Sequence, residues 1–241
     1  MAEAVRALAH PDRAAGKAVF FQAVPGGYAE GDRFLGVSVP EARQVVRRHR
    51  DATLGTVEAL LDDPWHEVRL VAALLLVERY RRARSDDERR TAVDLLVRSG
   101  PRLDNWDLVD SVAPYVLGAW LVDHPQDRPV LQRLAASAVV WERRLAVVGS
   151  FGLIRAGVVT DTLQLCALLA DDPHELVHKA CGWMMREVGG RDRARLDAFL
   201  EEHAHRLPRV TLRTAVEKHD PEQRRRWLAV PSSHSPRPRP R

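Results

Sequence analysis

Residues 60–72 read LLDDPWHEVRLVA, and residues 168–180 read LLADDPHELVHKA. Each holds an apolar helix end, a pair of aspartates, a proline and the opening of a new amphipathic helix. Proline suits a first helical turn, where its missing N–H is not needed, and a preceding Asp can accept from the unpaired N–H groups there. The pattern predicts helices that begin at Pro64 and Pro173, with Asp63 and Asp172 as N-caps. One unit used twice calls for a search for further copies.

The second helix of each unit supplies the register. Val68-Arg69 is followed by Ala72, Val109-Asp110 by Ala113, Arg143-Arg144 by Val147, Val177-His178 by Cys181, and Leu212-Arg213 by Val216. The second members fall at 69, 110, 144, 178 and 213, so the spacings are 41, 34, 34 and 35. A near-constant period of this length, with two helices in each period, is the signature of an α-solenoid of HEAT-like repeats. The expected fold is all-α, with the repeats lining a concave groove. A single repeat domain is expected over residues 1–230, with N-terminal capping helices over about 1–50.

Composition agrees with a helical core. Hydrophobic residues make up 45% of the 241-residue chain and charged residues 29%, which excludes global disorder. No stretch alternates with period two, which argues against a sheet protein. The loop around Gly26, Gly27, Gly31 and Gly36 is not a phosphate loop, since no GK[ST] follows; it connects a capping helix to the repeats. Pro40 starts the next helix, with Ser38 as its cap. The last eleven residues, PSSHSPRPRPR, read as a disordered tail carrying Arg237, Arg239 and Arg241. Without those three, 34 basic groups face 33 acidic ones, so any nucleic-acid surface must come from basic residues gathered on one face. Cys166 and Cys181 read as reduced core thiols. The longest apolar run, Val71 to Val77, is too short to span a membrane, and a cytosolic monomer is the expectation.

The register places Asp110, Arg144 and His178 at equivalent positions of successive repeats, hence on one strip of surface. Trp106 lies one turn before Asp110, Trp141 lies three residues before Arg144, and Trp183 follows His178 by five. Each has a plainer reading. Arg143 and Arg144 suit solvated helix charges, and the tryptophans suit core positions, as Trp65, Trp120 and Trp227 do. Asp107 lies close enough to a helix start to be favoured by the dipole. Asp110 lies deeper, where Asp has poor helix propensity and no capping role. It points to a function, or to an ion pair with Arg144. His66, His174 and His178 do not form a metal set, and Ser111 and Ser150 lack a base partner for nucleophilic catalysis.

NWDLVD (105–110), WERRLAVV (141–148) and HKACGWMMRE (178–187), in that order, resemble the AlkD-like DNA glycosylases of the DNA alkylation repair family. YAEGDRFLGVSVPEAR (28–43) and LPRVTLRTAVEK (207–218) are similar to the same family's flanking motifs, and the resemblance covers roughly residues 17–228. Thr214 departs from it, since a Tyr is usual there; the expected consequence is local packing. The resemblance implies HEAT-repeat architecture and excision of N3- and N7-alkylated purines from double-stranded DNA. It implies no cofactor, no metal and no swing of the base into a pocket. It assigns the catalytic aspartate to Asp110, the lesion-contacting tryptophans to Trp106 and Trp183, and the groove arginine to Arg144. Arg43, Arg47, Arg143, Lys179, Arg186 and Arg213 are the candidates for phosphate contacts. Three other readings stay open from sequence: a non-catalytic helical-repeat scaffold, a damage-binding relative that does not cut, and a self-resistance glycosylase for bulky alkylating metabolites.

Overall fold

The computed structural model describes residues 1–233. It is all-α: the described residues contain no strand, only an isolated bridge between Arg33 and Trp65. Arg237, Arg239 and Arg241 lie outside the described residues. Pro231 to Ser233 lie inside them, and the Ser233 amide donates to the His205 carbonyl at 2.8 Å. The chain forms two compact units, one of Met1–Trp120 and one from Leu121 onward.

The first unit holds α1 (Ala2–Arg6), α2 (Pro11–Phe20), α3 (Val39–Arg48), α4 (Leu54–Leu61), α5 (His66–Arg82), α6 (Asp86–Arg98) and α7 (Trp106–Val112). Next comes α8 (Leu117–Asp123), inside which the division falls. Ser38 caps α3 in a capping box with Glu41, as its sequence predicts. Helix α5 is buried almost all round and is flanked by α3, α4, α6 and α7. That is the expected place for a helix apolar on every side. Fully buried Leu75 and Leu76 each contribute about 1.5–3 kcal/mol by leaving water.

The first residues of α5 anchor the chain that precedes α3. Glu67, 0% exposed, accepts from the amides of Leu35 and Gly36 at 2.8 and 3.0 Å and pairs with Lys17 at 3.1 Å. Gly36 has φ +81°, and a Cβ there would lie 2.2 Å from the His10 carbonyl oxygen, so only glycine fits.

His66 is also 0% exposed. Its Nδ1 lies 2.9 Å from Asp32 Oδ2, and its Nε2 lies 2.9 Å from Asp107 Oδ2. Two carboxylates require two N–H donors, so the ring is an imidazolium. Burial alone would lower its pKa, but the hydrogen bonds and charges of Asp107 and Asp32 outweigh that and raise it to about 9. Arg69 completes the cluster, donating to Asp32 at 2.7 Å and pairing with Asp104 at 3.0 Å. Burial would raise the Asp32 carboxyl, but His66 and Arg69 hold it below the ordinary value; for Asp104 burial prevails and the pKa is raised. The rings of Phe34 and Phe21 cover His66, with centroids 4.7 and 5.0 Å away. Asp107 does lie in the first turn of α7, where a carboxylate is dipole-favoured, but it also ties α7 to α5.

The second unit holds α9 (Pro129–Ala135), α10 (Val140–Gly149), α11 (Phe151–Arg155), α12 (Thr160–Leu168) and α13 (Glu175–Arg191). It continues with α14 (Arg193–His203), α15 (Arg209–Ala215) and α16 (Pro221–Ala229). Helix α13 is its centre, flanked by α10, α11, α12, α14 and α15. Free Cys166 and Cys181 are both buried, and Trp120, Trp141 and Trp227 are core residues of their own units.

The repeated DDP motif forms the same turn in both units, but the expected caps are displaced. Asp63 accepts from the Trp65 amide at 3.0 Å and Asp172 from the His174 amide at 2.8 Å. An aspartate that hydrogen-bonds two residues ahead closes a turn before the helix, and the residue before a proline avoids helical φ/ψ. The N-caps are therefore Trp65 and His174, not Asp63 and Asp172, and both prolines precede the helix. The register positions 69, 110, 144, 178 and 213 each fall at the fourth or fifth residue of α5, α7, α10, α13 and α15.

Helices α13 and α15 meet at Gly182, where a Cβ would lie 2.9 Å from both the Thr211 carbonyl oxygen and Thr214 Cβ. Gly182→Ala is therefore expected to cost about 1–3 kcal/mol, read from the denaturant midpoint. A second expectation concerns pH. The His66 pKa is raised on folding, so its stabilisation is complete below about pH 6.5 and is lost as pH rises through about 9. The thermal midpoint should fall by roughly 5–10 °C across that window, and His66→Gln should flatten the slope.

Candidate nucleic-acid cleft around Trp106 and Asp110

Buried Asn105 caps α7, accepting from the Trp106 amide at 2.8 Å. Trp106 and Asp110 follow on one face, four residues apart, and both are half-buried. Both line a cleft of about 790 Å³ in the first unit, a volume suited to a group the size of a nucleoside or larger. Its apolar floor includes Val46, Leu74 and Val77, and its charged walls carry Arg43, Arg47 and Arg50 beside α3, and Arg81 and Arg82 at the end of α5.

Trp106 is held on its far side. Its Nε1 donates to the Tyr28 hydroxyl at 3.1 Å, and its ring lies 5.4 Å from Phe21 and 6.0 Å, edge-on, from Phe20. Phe21 in turn covers His66, so an aromatic layer runs from the buried imidazolium to the cleft wall. Tyr115 is 39% exposed at the cleft and carries the Arg81 guanidinium over its ring at 5.3 Å.

The arginines of the cleft fall into two groups. Arg81 pairs with Glu78 at 3.5 Å, and Arg82 with Asp51 at 3.1 Å. Exposed Arg43, Arg47 and Arg50 make no ion pair among the described residues. Unneutralised cations beside a cleft attract a polyanion, and guanidinium groups match phosphate geometry. Arg43 and Arg47 are thus brought together with Trp106 and Asp110. Arg50, Arg81, Arg82 and Tyr115 join them in the cleft lining, beyond the residues that the sequence points to. Arg50 continues the helical spacing of Arg43 and Arg47, which is a usable signal; Tyr115 follows Pro114 at a helix break and carries none.

The remaining candidates belong to the second unit. Trp183 is half-buried on α13, with the Phe151 ring 5.8 Å away. Arg144 is only 5% exposed, and its Nη1 donates to the Leu176 carbonyl at 2.6 Å. Arg143 is paired with Asp172 through Nε at 2.6 Å and also donates to the Ser137 and Ala138 carbonyls. Lys179 pairs with Glu175 at 3.0 Å, and Arg186 with Glu217 at 2.7 Å and with Glu187. Arg213 is exposed and makes no ion pair among the described residues.

A family model of DNA alkylation repair enzymes matches residues 1–219. Among solved structures, one described as a predicted DNA alkylation repair enzyme from Enterococcus faecalis is similar in fold, with a TM-score of 0.70 at 18% identity. The likeness covers 88% of this chain and 97% of that one. No curated protein matches the chain. The match to the family model runs through the cleft, both DDP turns and all five register positions, and the chain belongs to the DNA alkylation repair enzyme family.

Proposed function

We propose that the protein is a monofunctional DNA glycosylase that hydrolyses the N-glycosidic bond of cationic N3- and N7-alkylated purines in double-stranded DNA. The observation that carries this reading is the sharing of one cleft by Asp110, the Trp106 indole and unpaired Arg43, Arg47 and Arg50, in a chain of the DNA alkylation repair family.

The chemistry follows from charge. Alkylation at N3 or N7 makes the purine a cation and hence a good leaving group, which departs without a general acid. Bond breaking leaves positive charge on the deoxyribose as an oxocarbenium ion, as in glycoside hydrolysis. A fixed carboxylate is the useful catalyst, and Asp110 supplies it, also orienting the water that attacks C1′. The water's oxygen bonds to C1′ as the purine leaves with the bonding pair, and the surplus proton passes to Asp110 or solvent. Trp106 presents an electron-rich face to the cationic base and sugar, contributing roughly 0.5–2 kcal/mol. Trp183 and Arg144 take their roles, lesion contact and groove arginine, from the family resemblance. Because the cationic base leaves without protonation, it need not swing into an enclosed pocket.

Phosphate contacts supply the affinity. Arg43, Arg47 and Arg213 come first, because they have no carboxylate to surrender. Arg143, Lys179 and Arg186 follow, since each must share or leave a carboxylate partner. In this reading the protein acts on duplex DNA as a monomer and needs no cofactor.

Purified protein is expected to release 7-methylguanine or 3-methyladenine from alkylated duplex DNA. Asp110→Asn should slow release about a hundredfold or more while duplex affinity stays within about threefold. Unchanged turnover in that variant would remove Asp110 from the mechanism. Replacing Arg43 and Arg47 together with Ala should reduce the slope of log affinity against log salt by about 2. An unchanged slope would remove both from the phosphate track.

A further inference from the structure

Among the buried charges, one connects directly to the cleft. Asp32 is held twice, by His66 and by Arg69. Asp107 is held once: His66 donates to its Oδ2, while its Oδ1 is buried with no hydrogen-bond partner among the described residues. Asp107 is the second residue of α7, directly after Trp106 and one turn before Asp110, and it lines the same cleft. The Asp107 carboxylate therefore rests on a single charge-assisted bond.

We propose that His66 is a positioning residue for the cleft, and that its bound proton, shared between Asp32 and Asp107, sets where α7 presents Trp106 and Asp110. The inference rests on the glycosylase reading for its functional consequence, and on contacts alone for its geometry.

A neutral imidazole keeps one N–H and can serve one carboxylate. When the proton passes to solvent, the remaining N–H stays on Nδ1 with Asp32, whose side chain is 4% exposed against 17% for Asp107 and which is therefore the costlier carboxylate to leave without a donor. Asp107 is then a part-buried carboxylate with no donor, and such a group moves toward water. Its movement carries the first turn of α7, and with it the indole that rests on Phe21. The charged groups around His66 are Asp32 from the loop before α3, Asp107 from α7, Asp104 from the loop before α7, and Arg69 from α5. The Glu67–Lys17 pair lies beside it and faces the loop at Leu35 and Gly36. The His66 pKa of about 9 lies in the alkaline range, so the transition to follow is an alkaline one.

The test is single-turnover release of 3-methyladenine from duplex DNA between pH 6.5 and 9.5, with the enzyme-free rate subtracted at each pH. The wild-type rate should be level up to about pH 8 and fall with a midpoint near 9. Asp107→Asn removes an anion that favours the imidazolium, so its midpoint should move about one unit or more lower. A purely structural loss would lower the rate without moving the midpoint. His66→Gln should lower the rate about tenfold to a hundredfold at every pH, with no alkaline limb and duplex affinity within about twofold. If His66→Gln does not fold, Asp107→Asn decides alone.

A wild-type rate independent of pH, or an unmoved midpoint in Asp107→Asn, would overturn the inference. Should the protein release no base at any pH, the glycosylase reading fails. The inference is then judged by the Trp106 contribution to fluorescence, taken as wild type minus Trp106→Phe. That signal should change with a midpoint near 9, and a flat signal rejects it.

Discussion

A protonated histidine with no exposed surface, held between two carboxylates, ties the first turn of helix α7 to the central helix α5. His66 reaches Asp32 on the loop that precedes α3 and Asp107 on the first turn of α7. It thereby joins three segments far apart in sequence at the first residue of the central helix. An ion cluster of this depth contributes little net stability beside a well-packed apolar alternative, because each charge is stripped of water. It adds geometric definition instead: both ring nitrogens must find an oxygen, and they find one on the loop and one on α7. Trp106 and Asp110 inherit their positions from that arrangement.

The cleft built on this support combines three acidic residues (Glu78, Asp107 and Asp110), an indole, a tyrosine and five arginines over an apolar floor. These groups differ in what they are free to do. Arg81 and Arg82 have carboxylate partners, whereas Arg43, Arg47 and Arg50 have none among the described residues. The same contrast recurs within the second unit, where Arg143 is paired with Asp172 and Arg213 makes no ion pair among the described residues. A count of basic residues therefore overstates the charge available to a polyanion, and the distribution of partners is the physically relevant quantity.

Much of this was legible in the residues. The five register positions all fall in the second turn of a helix, because apolar periodicity reports helices directly. The pairing of Trp106 with Asp110 on one face follows from a spacing of four. The DDP caps were misplaced by two residues, since the sequence does not reveal whether Asp bonds to a helix amide or closes a turn ahead of it. Neither the His66 cluster nor the partners of Arg143, Arg144 and Arg186 could be read. Their distant partners, Asp32, Asp107, Asp172, Leu176 and Glu217, lie 29 to 41 residues away, and no local pattern encodes such pairs. Thr214 sits against Gly182 where α13 and α15 come close.

The claim that a fixed anion beside an aromatic face favours a cationic sugar is tested most directly by binding. The affinities to compare are those for a duplex carrying a cationic pyrrolidine in place of one deoxyribose and for the same duplex carrying neutral tetrahydrofuran. Wild type should prefer the cation by about tenfold or more, and Asp110→Asn should lose most of that preference while binding the neutral duplex as before. Equal affinity for the two duplexes in wild type, or a preference that survives in Asp110→Asn, would contradict it.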